Sequence, residues 1–180
     1  MNLKKYYINA LSYEAYVQLL NENRPLHELH YKKFNVDNDV AQEPFLKNHY
    51  KILVITEPWC GDSLALLPLI RKLSEITTTW DLKILLRDKN LELMDKFLTN
   101  GARGIPVFLF LDENFDLITR WGPRPGAAQQ IYEKHRTRIE NGQILKHDVI
   151  KKIRSYYAKD RGKESVAELK SLLEDVLITK

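Results

Sequence analysis

The apolar positions change period several times along the chain, and each change marks an element. Between Ser12 and Asn23, apolar residues fall at Ala15, Tyr16, Leu19 and Leu20, a helical spacing with Ser12 placed to cap its start. Residues 24–48 are polar and mixed, and predict one or two short helices without fixed limits. Lys51–Thr56 is a continuous apolar run rich in β-branched residues, the pattern of a central strand covered on both faces. Gly61–Thr77 returns to helical spacing through Leu66, Leu69, Ile70, Leu73 and Ile76, with Pro68 expected to kink it. Leu82–Arg87 is a second apolar strand. Strand, helix and strand at this spacing form a βαβ unit, so the two strands are expected to be parallel.

Leu91–Leu98 predicts a short helix ended by Asn100-Gly101. Pro106–Leu111 and Phe115–Arg120 read as strands, and the three turn residues between them, Asp112-Glu113-Asn114, imply an antiparallel hairpin. Helices follow at about 125–140, 144–158 and 163–178. In the last, Val166, Leu169, Leu172, Leu173, Val176 and Leu177 give an apolar stripe that fits packing on the domain. The order β-α-β-α-β-β-α runs from Lys51 to about residue 140. The expected architecture is a single α/β domain over residues 1–180, with its core at about 51–140 and helical extensions at 1–50 and 141–180.

Hydrophobic residues at 44% and charged residues at 29% fit a soluble globular chain of 180 residues. No apolar run is long enough to cross a bilayer, and residues 1–9 lack the apolar stretch of a signal peptide. The single cysteine excludes an internal disulfide and fits a reducing compartment, so a cytoplasmic location is expected. The net charge of +4 is concentrated in the C-terminal third, where acidic residues are interspersed. That pattern reads as a solvated helix face; no groove-reading motif argues for nucleic acid. His27 and His30 stand at i, i+3 with no cysteine nearby, and neither a metal nor a cofactor is expected.

The chemistry concentrates in Glu57-Pro58-Trp59-Cys60-Gly61-Asp62-Ser63, at the exit of the first central strand. Sites in open α/β sheets form beyond the carboxyl ends of strands. A cysteine opening a helix there meets free N–H groups and the positive end of the helix dipole, which favour thiolate. The competing reading is a small buried hydrophobe, the usual fate of a lone cysteine. Asp62 complicates the balance. A carboxylate ~6 Å away at an effective dielectric of ~20 opposes the thiolate by ~3 kcal/mol, against ~0.3–1 kcal/mol from the helix end. The outcome depends on whether Asp62 points to the sulfur or to solvent.

Trp59-Cys60-Gly61 resembles the start of the Trp-Cys-Gly-Pro-Cys motif of the thioredoxin superfamily. Pro68 stands where the family has its helix-kinking proline, Arg103-Gly104-Ile105-Pro106 is similar to the segment holding its cis-proline, and Gly122 matches its second-hairpin glycine. Trp-Cys-Gly-Asp-Ser with Arg-Trp-Gly-Pro-Arg-Pro resembles bacterial thioredoxin family proteins whose second active-site position is not cysteine. The resemblance implies a thioredoxin fold, a central mixed sheet flanked by helices. It also implies a cis bond before Pro106, leaving the Ile105 backbone to pair with a substrate beside Cys60, Trp59, Gly61 and Asp62. Two departures stand out. Ser63 replaces the resolving cysteine, and Val54 replaces the buried aspartate that serves it.

Those departures imply monothiol chemistry. Cys60 would attack a protein or small-thiol disulfide, Ser63 would hydrogen-bond the sulfur or cap the helix, and an external reducing thiol would release the product. The alternative is a redox-inactive peptide-binding or chaperone-like module. A third reading, iron–sulfur binding as in monothiol glutaredoxins, is suggested only by Cys-Gly-Asp-Ser; the text around Pro106 does not resemble the glutathione-binding segment of those proteins.

Overall fold

A computed structural model describes residues 2–34 and 42–178. Residues 35–41, part of the segment expected to hold short helices, lie outside the described residues. The elements are α1 (Leu3–Ile8), β1 (Leu11–Ser12), α2 (Tyr13–Gln18), α3 (Arg24–Lys33), β2 (Tyr50–Thr56), α4 (Gly61–Thr77), β3 (Trp80–Leu86), α5 (Leu91–Met94), β4 (Val107–Leu111), β5 (Leu117–Trp121), α6 (Gly126–Glu140), α7 (Lys146–Asp160) and α8 (Lys163–Ile178), with short 3-10 turns between several of them.

The sheet order is β1-β3-β2-β4-β5. β2 and β3 are parallel, with Ile52 opposite Leu82. β4 runs antiparallel to β2, with Val54 opposite Phe108, and β5 antiparallel to β4. This is the expected βαβ unit followed by a hairpin. The continuous apolar run of β2 has a direct physical cause, since successive side chains enter two different cores. Ile52 and Val54 join the layer beneath α4, α7 and α8; Leu53 and Ile55 join the opposite layer with Leu3, Tyr7, Met94 and Phe97.

Several limits differ from the sequence pattern. α1 and β1 were not expected. Six- and two-residue elements are too short to show a period, yet β1 pairs with β3 through Leu11 and Ile84, and Tyr16 is completely buried. The N-terminal extension therefore adds a strand to the sheet as well as helices. Ser12 caps α2 as expected, its side chain accepting from the Ala15 N–H, but the helix ends at Gln18 rather than Asn23. α5 ends at Met94 rather than Leu98, and Phe97 reaches the core from a turn. β5 starts at Leu117 rather than Phe115, because the Asp112 carboxylate accepts from the N–H groups of Asn114 and Asp116 and holds a longer loop.

The C-terminal helices pack into the structure. α7 buries Val149, Ile153 and Tyr157, and α8 buries Leu169 and Leu173. The Tyr157 hydroxyl donates to Asp62 at 2.9 Å, and Arg124 pairs with the same carboxylate at 2.8 Å. The Trp121 indole and the Gly126 N–H both donate to Glu168 on α8. Among the described residues, no helix is long and apolar enough to cross a membrane.

Gly122 sits at φ +104°, and a Cβ there would lie 2.3 Å from the Pro106 carbonyl oxygen. Gly142 has φ +67° with open space around it. Gly142→Ala is expected to cost about 1 kcal/mol, from the backbone alone. Gly122→Ala adds a backbone clash and should cost several-fold more. Urea melts of the two variants measure the difference; equal midpoints would show that the β5 turn yields freely. Asp62→Ala strands Arg124 in a mostly buried site and is expected to cost about 3 kcal/mol, while Asp62→Asn, which still accepts from Tyr157, should cost less.

Candidate functional site

The site forms where β2 ends and α4 begins. Glu57 braces the turn between them: its carbonyl accepts from the Cys60 N–H at 3.0 Å and from the buried Tyr16 hydroxyl at 3.2 Å, while its carboxylate accepts from the Asp88 N–H at 2.8 Å. Cys60 is the N-cap residue of α4, with extended backbone, and its carbonyl accepts the first helical bond from Leu64. The turn thus fixes the sulfur at the carboxyl end of a central strand.

Cys60 is 6% exposed, and its thiol donates to the Ile105 carbonyl at 3.4 Å. The Ile105–Pro106 bond is cis, as the resemblance implied, and Gly122–Pro123 is cis as well. The balance between helix end and carboxylate that the sequence left open is decided by a third effect, burial. Burial pushes the Cys60 thiol above its usual range, and Asp62 pushes the same way; hydrogen bonds from Ser63 and from the Asp62 and Ser63 N–H groups pull back but do not win. The cause is simple: removing a thiolate from water outweighs what the first turn of one helix returns.

Ser63 is buried and forms a short hydrogen bond with Thr56 on β2. No side-chain bond caps α4, so Ser63 is not a cap. It faces both Thr56 and the sulfur, and the three groups form a small polar seam between sheet and helix. Val54 is fully buried in the apolar layer.

Asp62 takes neither of the orientations considered from the sequence. It is buried and turned to Arg124 and Tyr157. Burial raises its carboxyl above the usual range, opposed by Arg124, Tyr157 and the nearby charge of Arg154.

Trp59 is the exposed wall, 57% accessible, with the Arg87 guanidinium 4.9 Å from its ring centre. Trp59, Cys60, Gly61, Asp62 and Ile105 line one open cleft of about 330 Å³, with Arg103 and Gly104 on the loop side. Pro106 lies beneath it, next to Gly122. The far wall is α7, which contributes Ile150, Ile153, Arg154 and Tyr157.

These α7 residues, with Thr56, Arg87 and Arg124, were missed by the sequence reading, and Glu57 stood in the motif without a role assigned to it. Arg124 lay in a motif already singled out, Arg-Trp-Gly-Pro-Arg-Pro. Arg154 lay in the basic stripe read as a solvated face. Nothing in the local sequence marks Tyr157, which reaches Asp62 across 95 positions. The paired histidines have a structural explanation: His27 is buried, bonded to the Tyr13 hydroxyl at 2.7 Å, and burial lowers its pKa to about 4. Among the described residues, no three His, Cys, Asp or Glu side chains gather as metal ligands would.

Two solved structures share the fold. One is a protein of unknown function from Pseudomonas aeruginosa, 17% identical, with a TM-score of 0.70 over 94% of this chain and 95% of that one. The other is an HIV epitope scaffold, 21% identical, with a TM-score of 0.64 over 84% of this chain and 94% of that one. Coverage of 94% requires most of α7 and α8 to belong to the shared fold. No curated protein sequence matches the chain. The family model described as Thioredoxin matches residues 10–138, from just before β1 almost to the end of α6 and through the whole Cys60 turn. The chain belongs to the thioredoxin family.

Proposed function

We propose that the chain is a monothiol thiol–disulfide oxidoreductase with Cys60 as its nucleophile. The observation that carries this reading is the place of the sulfur. It stands at the N-terminus of a 17-residue helix, bonded to the carbonyl before a cis-proline, at the floor of a cleft walled by an exposed tryptophan.

Cys60 first loses its proton to solvent, which returns it to the departing RS⁻ after the exchange. The Cys60 thiolate then attacks one sulfur of a disulfide RS–SR. A Cys60–SR bond forms, the S–S bond breaks, and RS⁻ leaves. An external thiol R′SH then attacks the mixed disulfide at the R sulfur, giving R′S–SR and restoring the Cys60 thiol after proton transfer. The net exchange is RSSR plus R′SH to RSSR′ plus RSH. Ser63 steadies the thiolate through its hydroxyl, itself held by Thr56. The Ile105 carbonyl, which takes the thiol hydrogen at rest, is released when the mixed disulfide forms and is then open to a donor on the ligand. Trp59 covers the ligand, Gly61 leaves room beside the sulfur, Pro106 shapes the loop that presents Ile105, and Asp62 holds α7 against the cleft. A single thiol with an external reductant suits the reducing cytoplasm and the monothiol bacterial members of the family.

One observation favours a second reading, a binding module without redox turnover: the sulfur is almost fully buried and its pKa is raised. The two readings separate on reactivity. With the pKa above the usual thiol range, iodoacetamide alkylation of the folded protein should rise about tenfold per pH unit between 7 and 9 without a plateau. Hydroxyethyl disulfide should give a Cys60 mixed disulfide, detected as a mass increase absent from Cys60→Ala. Labelling seen only after unfolding would favour the binding module.

Ser63→Cys places a second thiol one helical turn from the first. It is expected to convert single-event thiol exchange into catalytic reduction of insulin disulfides with dithiothreitol. An inactive Ser63→Cys protein that still forms the mixed disulfide would show that Cys60 and position 63 do not face each other in the reacting state.

A further inference from the structure

Thiol exchange at Cys60 does not require the charge that surrounds it. Five cations line the cleft: Arg87, Arg103, Arg124, Lys146 and Arg154. Three are answered within the protein, Arg87 by Asp88 at 2.8 Å, Arg103 by Asp95 at 2.6 Å and Arg124 by Asp62 at 2.8 Å. Lys146 and Arg154 form no ion pair among the described residues. Five cations less three carboxylates leave two positive charges at the mouth of the cleft.

Their placement is ordered. Lys146, Ile150, Ile153, Arg154 and Tyr157 recur at i, i+4, i+7, i+8 and i+11, so one face of α7 carries both free cations and the apolar surface between them. The Arg154 Nε and a terminal nitrogen each lie 3.7 Å from where a side chain on Gly61 would begin. The absent side chain at position 61 therefore leaves the guanidinium beside the residue that follows the thiol. Tyr157, bonded to Asp62, fixes the helix at that distance. The cleft of about 330 Å³ is at the small-molecule end of the range for ligand sites. A helix as its far wall leaves less room for a folded protein surface than for a compact ligand.

We infer that the cleft binds a small thiol, or its disulfide, bearing two carboxylates, with the carboxylates at Arg154 and Lys146 and the sulfur toward Cys60. The sulfur part rests on the oxidoreductase reading; the dianion part does not. Opposite charge at the mouth speeds encounter with such a ligand and slows encounter with a cationic one. Two exposed charge contacts of ordinary strength together change affinity by about tenfold.

The test separates the two parts. The full chain is titrated with 3,3′-thiodipropionate, a dicarboxylate that cannot exchange disulfides, and followed by ¹H–¹⁵N NMR. Saturable shifts are expected at Trp59 and Gly61, with binding about tenfold weaker in Lys146→Gln/Arg154→Gln and lost in Lys146→Glu/Arg154→Glu. In parallel, Cys60 is reacted with 3,3′-dithiodipropionate and with cystamine, its dicationic counterpart. The anionic disulfide should react about tenfold faster in the wild type, and the order should reverse in the charge-reversed variant. Absence of saturable shifts, or equal binding by wild type and both variants, overturns the inference. So does charge dependence confined to a disulfide-containing acidic peptide. If no disulfide reacts at all, the oxidoreductase reading falls, while the thiodipropionate titration still decides the dianion site.

Discussion

The sulfur of Cys60 is held out of water between the first turn of α4 and the Ile105 carbonyl, and much of the surrounding structure serves to keep it there. The turn that delivers it is fixed at Glu57, bonded at once to Tyr16 from the N-terminal segment and to the Asp88 backbone beyond β3. The loop that meets it is set by Pro106, against which Gly122 approaches so closely that no side chain fits. Segments far apart in the chain thus converge on one atom. Desolvation raises the thiol's pKa, so the helix end that would acidify an open cysteine only moderates a buried one.

Asp62 shows how the same burial links the site to the C-terminal helices. A carboxylate on the exposed first turn of a helix would be a solvated group near a thiol. Here it is covered by α7, accepts from Tyr157 and pairs with Arg124. It becomes the joint between α4, the segment after β5, and α7. Its charge is paired with Arg124 yet still adds to the rise of the Cys60 thiol, and the helix it anchors supplies the far wall of the cleft.

Cys60, Trp59, Ile105 and Pro106 were legible because a short motif and two prolines at fixed separations carry them. Their neighbours were not, for a physical reason. Arg154 and Tyr157 belong to an amphipathic helix whose sequence shows which face is apolar but not what that face covers. The basic stripe seemed a solvated surface because interspersed acids balance it along the chain. In space, the acids near the cleft pair with Arg87, Arg103 and Arg124, which leaves Lys146 and Arg154 without an ion pair among the described residues. Charge balance along a sequence and charge balance around a cavity are different sums.

By itself the sequence determined the βαβ unit, the hairpin and the long C-terminal helices, because each repeats an apolar period over enough residues to be unambiguous. It also determined that the 180 residues hold one thiol, with serine rather than a second cysteine at position 63, so no disulfide can form between two of them. Tertiary structure alone decided that residues 11–12 extend the sheet, that Asp62 turns from the thiol to Arg124 and Tyr157, and that α7 closes over the cleft. It also decided whether Cys60 would be acidified. That depends on how much water reaches the sulfur, a property of every segment packed around it and of no local pattern.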